Sequence, residues 1–368
     1  MQKKAGAKVT LASFLIIICF SWLLWIFLEK YTDTTNYEKR KMASQPRLTA
    51  DNYGTFAEQY ENWFNDNIPF RNNLISLNSA IDFFVFDKSS NSRVIKGKGD
   101  WLFYNDPSNG DSLGDYQGTT LLSEEELQKL AQNCVSQQDF LEEQGKEFVL
   151  FIAPNKERIY SEYMPERYGK PADNYRALQI YNYLKENTDL RVVYPYEELM
   201  AAKALGSNIY YKTDTHWNSI GAYVGVTALL HELGIEMPSI QSNEITVTQG
   251  ENTSGDLAGM LNLSKQLRNT DHEYSVEGYD THQIESIVQD FNKVFSFKAT
   301  GADPRKIYVI RDSFCTAMAP IIGSQFSETY MRNRKTYSYD DYLAQNPDIV
   351  VREVVERHLS ELMDFSIQ

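Results

Sequence analysis

The chain has 368 residues, 42% of them apolar and 13% aromatic, which is the composition of a folded protein with a full core. Its formal net charge is −14. A surface of that sign argues against nucleic acid or anionic lipid as the partner, because both reward clustered Lys and Arg.

Val9 to Leu28 (VTLASFLIIICFSWLLWIFL) is twenty residues without a charge, the helix length that crosses ~30 Å of hydrocarbon. Trp22 and Trp25 stand near its outer end, and Lys3, Lys4 and Lys8 precede it. This pattern predicts a signal-anchor, with residues 1–8 a cytoplasmic head and the rest of the chain exported: a single-pass protein of the cell membrane. A cleaved signal is the alternative, but the apolar run is long for one. Ile17 and Ile18 before Cys19 argue against a lipoprotein signal. Residues 29–50 read as a stalk and 51–368 as one domain.

Within that domain, residues 55–81 show apolar spacing near 3.6 interrupted at Pro69, which predicts two short helices with a break. Gly97 to Tyr104 (GKGDWLFY) is a hairpin pattern. Ser123 with Glu126 is a capping box opening a helix toward Glu143, and Gly145 suits its end. Strands are predicted over Phe148–Ala153, Leu190–Tyr194, Lys306–Ile310 and Asp348–Val351. Helices are predicted over Asn174–Asn187, Ser219–Leu233 and Phe314–Ile322. Continuous apolar strands alternating with amphipathic helices predict a parallel sheet covered on both faces, with ligands bound beyond its carboxyl edge. Residues 240–300 are polar and read as an irregular insertion.

Ser313 falls where the strand at 306–310 gives way to a helix. Such a bend exposes a hydroxyl beside helix N–H groups, the setting of a nucleophile with an oxyanion site. The same bend is equally explained by Asp312 or Ser313 capping the helix. A nucleophilic serine needs a base and a group to orient it. The five histidines are 216, 231, 272, 282 and 358. Asp214-Thr215-His216-Trp217 directly precedes a predicted core helix. Asp280-Thr281-His282 repeats its first three residues in a hydrophilic stretch, and is read as a solvated loop. Asp214 and His216 are two ligands of a type that binds metal, but no third stands at ligand spacing, so no metal and no cofactor is expected. Cys134 and Cys315 could pair, though nothing in the sequence requires it.

With Asp214-x-His216-Trp217 and Asp312-Ser313-Phe314 in hand, the chain resembles the SGNH-hydrolase-like domain of the alginate O-acetyltransferase AlgX/AlgJ family and its DHHW-motif relatives. WFNDNIPFRNNL, GKGDWLFY, FIAPNKERIY, GDLAGML and PDIVVREVVERHL follow in that family's order, over roughly residues 50–365. The resemblance implies a flavodoxin-like, three-layer α/β/α fold. It implies Ser313 as nucleophile, His216 as base and Asp214 as orienting carboxylate; Arg311, Asn155, Lys156 and Trp217 are candidate pocket residues, with a structural role for Arg311 and the Asn155-Lys156 loop as the equal alternative. It also implies ping-pong acetyl transfer to an extracytoplasmic polysaccharide, the acetyl group being supplied by a multi-pass membrane O-acyltransferase. Only 55 residues follow Ser313, so the carbohydrate-binding module of AlgX is not expected. An acetylesterase and a non-catalytic glycan-binding subunit are the competing readings.

Overall fold

The computed structural model describes residues 11, 13–14, 16, 25–35, 41–280, 282–290 and 292–367. Most of the apolar run 9–28 lies outside them. Among the described residues no helix is long and apolar enough to cross a membrane. The chain packs as two compact units, Met1–Asn91 with Gly259–Gln266, and Ser92–Ala258 with Leu267–Gln368.

The first unit carries helices α1 (Phe56–Asn67) and α2 (Arg71–Phe84). The break expected at Pro69 is there, completed by Phe70 in a left-handed conformation at φ +60°. α2 buries only Ser79 and Phe83.

The second unit contains, in chain order, β1 (Val94–Lys96), β2 (Leu102–Tyr104), α3 (Glu124–Glu142), β3 (Glu147–Ala153), α4 (Arg176–Asn187), β4 (Val192–Val193) and α5 (Ser219–Glu232). Then come β5 (Thr246–Thr253), β6 (Asp271–Glu277), β7 (Gln283–Asp290), β8 (Val294–Thr300), β9 (Asp303–Arg311), α6 (Cys315–Gly323), β10 (Phe326–Asn333) and β11 (Ile349–Val355). β1 and β2 form the expected hairpin. The capping box at Ser123 and Glu126 is formed in full and opens α3.

A seven-stranded sheet of order β4-β3-β11-β9-β10-β8-β7 organises the unit. β4, β3, β11, β9 and β10 pair in parallel. Because strand side chains alternate, β3 feeds two cores: Val149, Phe151 and Ala153 pack on one face with α5 and α6, and Phe148, Leu150 and Ile152 on the other with α3 and α4. Both faces are thus covered, as continuous apolar strands require.

The sheet departs from the expected all-parallel form at one edge, where β8 and β7 are antiparallel. The region 240–300 is likewise not irregular, since it holds β5 to β8. Its strands are solvated on at least one face, and β7 is almost wholly exposed, so their residues lack the apolar run that marks a buried strand. Cys134 and Cys315 are both free and buried, and they belong to opposite faces of the sheet, which rules out their pairing.

Candidate active site

β9 ends at Arg311 and α6 begins at Cys315, leaving Asp312-Ser313-Phe314 as the turn at the sheet's carboxyl edge. Asp312 shapes that turn. Its carboxylate accepts from the N–H of Phe314 (2.8 Å) and of Val355 on neighbouring β11 (2.9 Å). Its own N–H donates to Glu353 (2.7 Å). Burial raises the Asp312 carboxyl, but the two N–H donors and the Arg357 charge outweigh it, and the group lies below its ordinary range. With Asp312 and Phe314 held inside, Ser313 is the exposed residue of the three. α6 starts without a side-chain cap, so Asp312 braces the turn rather than the helix and leaves the serine hydroxyl outward.

The hydroxyl meets His216. Nε2 of His216 lies 2.8 Å from Ser313 Oγ, across 97 positions of chain. On the far side of the ring, Nδ1 lies 2.6 Å from Oδ1 of Asp214. A carboxylate there fixes the tautomer with the proton on Nδ1, so Nε2 is the acceptor facing the serine. Burial disfavours the imidazolium, yet the hydrogen bond and charge of Asp214, with the charge of Asp256, outweigh it and raise the His216 pKa above its ordinary value. Burial pushes Asp214 up, but the His216 ring and the N–H groups of Asp256 and His216 overcome it and hold the carboxyl below the ordinary range.

The segment bearing Asp214 and His216 is fixed by three separate parts of the chain. Asp271 accepts from the N–H of Lys212 (2.6 Å) and Thr213 (2.8 Å). Lys156 donates to the carbonyls of Tyr211 (3.2 Å), Lys212 (3.1 Å) and Asp214. Asp256 donates its N–H to Asp214 Oδ2 (2.8 Å) and accepts from Thr215 N–H (2.9 Å) and Oγ1 (2.8 Å). Burial pushes the Lys156 ammonium down to about 8, against the opposing charges of Glu157, Asp214, Asp271 and Asp256. Replacing it by methionine would leave three carbonyls without their charged donor. We expect Lys156→Met to lose about 3 kcal/mol of unfolding free energy in urea titration.

Trp217 and Phe314 join base to nucleophile. The indole N–H donates to the Phe314 carbonyl (2.9 Å), the two rings pack edge-on at 5.3 Å, and the His216 ring rests 4.8 Å from Phe314. Downstream, Asn218 caps α5 by accepting from Ile220 and Gly221 N–H, which fixes where the segment ends.

Of the seven residues singled out from sequence, the structure brings Asp214, His216 and Ser313 into one hydrogen-bonded chain. The four pocket candidates are buried rather than open to a ligand. Trp217 and Lys156 fasten main chain, as described. Arg311 lies over the Phe295 ring (4.4 Å) and donates to the Asp312 carbonyl (3.3 Å). Asn155 donates its main-chain N–H to Glu356 (2.8 Å). Sequence reasoning missed Asp256 and Gly255, which sit within the GDLAGML stretch. A Cβ on Gly255 would fall 2.2 Å from Cβ of Asp214, so only glycine lets Asp256 approach. Gly255→Ala should displace Asp214, and since an error near 1 Å costs about 10²-fold, ester turnover should fall by about that factor with the circular dichroism spectrum unchanged.

Asp256 also supplies the third ligand-type group that the sequence did not show, so Asp214, His216 and Asp256 cluster at ligand-like separations. Their oxygens are already engaged. Asp214 Oδ1 accepts from His216 and Oδ2 from Asp256 N–H, while both oxygens of Asp256 accept from Thr215. The cluster is chemically a hydrogen-bond network that orients an imidazole.

An exposed serine, an imidazole in line with it and a half-buried carboxylate behind form the arrangement for acyl transfer through a serine ester. The family model described as "SGNH hydrolase-like domain, acetyltransferase AlgX" matches residues 94–351. The chain belongs to this AlgX-type SGNH hydrolase-like family. A probable alginate O-acetylase AlgJ from Pseudomonas syringae pv. tomato is 28% identical over 220 residues, covering 59% of this chain and 53% of that protein. The chain thus spans about half the length of the curated relatives it matches. Among solved structures, Bacillus cereus PatB1 is similar with a TM-score of 0.54 and 17% identity, covering 75% of this chain and all (100%) of that one. A DHHW family protein from Eubacterium siraeum is similar with a TM-score of 0.52 and 16% identity, covering 74% of this chain and 97% of that one. At these identities the structures speak for the shared fold alone.

Proposed function

We propose that this AlgX-type chain is a membrane-anchored O-acetyltransferase that moves an acetyl group through Ser313 onto hydroxyls of an extracytoplasmic polysaccharide. The observation that carries the reading is the Ser313–His216–Asp214 hydrogen-bonded chain at an exposed sheet edge. His216 Nε2 takes the Ser313 proton as Oγ attacks the donor's acetyl carbonyl. The imidazolium returns that proton to the leaving group as the carbon–leaving-group bond breaks, giving acetyl-Ser313. A sugar hydroxyl then loses its proton to Nε2 and attacks the ester, and the Ser313 oxygen leaves and is reprotonated. Backbone N–H at the Ser313 turn is the proposed oxyanion donor.

The AlgJ relatives are named for alginate; for this chain the acceptor is proposed only as a polysaccharide. The uncharged run 9–28 supports single-pass anchoring with the domain outside the cytoplasm. That location requires acetyl to reach the domain across the membrane, which supports a multi-pass membrane O-acyltransferase as donor partner. Exposure of Ser313 supports hydrolysis as a competing outcome, since water and a sugar hydroxyl attack the same ester.

Two measurements test the proposal. Brief incubation with p-nitrophenyl acetate followed by peptide mass analysis should find one acetyl group on the peptide containing Ser313; an unmodified peptide under turnover would overturn the serine-ester route. Glycan acetylation in cells with and without the gene separates the two fates. Less acetylation on deletion supports transfer, and more would make the chain an esterase.

A further inference from the structure

The first unit has a surface that the acyl-transfer chemistry leaves unused. α2 buries Ser79 and Phe83 on one side. Opposite them, at spacings of three and four, stand Leu74, Leu77, Ile81 and Phe84, exposed by 54, 58, 42 and 56%. Val85 and Phe86 continue the face at 69 and 63%. The charges at its lower edge are paired with each other, Lys88 with Asp82 at 3.1 Å. A contiguous uncharged apolar stripe along 14 helical residues, about 21 Å long, is costly to leave in water.

What covers it follows from the chain just before it. Residues 31–35 are fastened to the first turn of α2. Asn73 Oδ1 accepts from Asp33 N–H (3.0 Å), and Asn72 Nδ2 donates to the carbonyls of Asp33 (2.9 Å) and Thr35 (2.8 Å). Lys265 adds an ion pair to Asp33 at 2.9 Å. The apolar run ends at Leu28. Two residues, Glu29 and Lys30, separate it from Tyr31, and the three steps from Leu28 to Tyr31 span at most about 10 Å. A bilayer crossed by residues 9–28 therefore has its surface within about 10 Å of the start of α2.

We propose that the Leu74–Leu77–Ile81–Phe84 face of α2 lies in the lipid interface as a second membrane contact, fixing the unit against the bilayer rather than leaving it on a free tether. The contact is hydrophobic, as in interfacial amphipathic helices, and needs no anionic lipid, in keeping with a chain of net charge −14. It rests on the anchor reading above.

The test uses the full chain in phosphatidylcholine vesicles, with Cys19→Ser as background. Single variants Ser21→Cys, Leu77→Cys, Phe84→Cys and Lys129→Cys carry an environment-sensitive fluorophore, and doxyl-labelled phosphatidylcholine is the quencher. The expected result is blue-shifted, quenched emission at 77 and 84 as well as at 21, with none at 129. Quenching at 21 with 77 and 84 matching 129 would overturn this proposal while leaving the anchor intact. No quenching at 21 would overturn the anchor and this proposal with it. Pyrene excimer emission at 77 that grows with the protein-to-lipid ratio would put a second copy on the stripe, and would also overturn it.

Discussion

Ser313→Ala should abolish turnover of an activated acetyl ester, with a loss near 10⁶-fold in kcat where the nucleophile of a serine–histidine pair is removed. The residual rate is that of a pocket without its nucleophile, so acetylated enzyme should vanish along with turnover. The fold should not notice. Ser313 is the exposed residue of its turn, and the turn's shape comes from Asp312 through Phe314 and Val355. Unfolding free energy should stay within about 0.5 kcal/mol of the parent. Retained turnover would place the chemistry elsewhere; lost turnover together with a lost fold would point to a structural serine.

Asp214→Asn should cost about 10⁴-fold in kcat, because an amide no longer fixes the imidazole with its proton on Nδ1. Its pH signature is the sharper measurement. His216 must be neutral to accept the Ser313 proton, and its pKa is raised above the ordinary imidazole value by the Asp214 carboxylate. Turnover by the parent should therefore rise with pH through a midpoint above that ordinary value. Removing the carboxylate charge lowers the folded pKa, so the variant's rise should move to lower pH while its plateau collapses. A fall in plateau with an unmoved midpoint would separate Asp214 from the imidazole it faces.

How much of this was legible beforehand depended on how each residue is buried. The parallel strands β3, β9 and β11 are apolar on both faces, and such runs stand out in a sequence. β7 and β8 carry the sheet outward at a solvated edge, where Gln283 to Asp290 shows no apolar run, and they passed for an insertion. At the site, Asp214, His216 and Ser313 were marked by their position before or at helix starts. Asp256 was not, since a carboxylate that reaches the site only because Gly255 admits close packing leaves no periodic trace. Lys156, Arg311 and Trp217 were visible in the sequence, but not the role they take. Their polarity and size read as pocket chemistry, whereas burial turns their donors toward main-chain carbonyls.

The clamping of residues 211–215 by Lys156, Asp271 and Asp256 bears on when the proposed site is assembled during folding. Three sequence-distant pieces must dock before the imidazole has a fixed direction, and 97 positions must close before it finds the serine. Loop closure of that length comes after local helices have formed. On dilution from denaturant, helical signal should therefore return first and ester cleavage last, making catalytic competence the most demanding readout of complete folding.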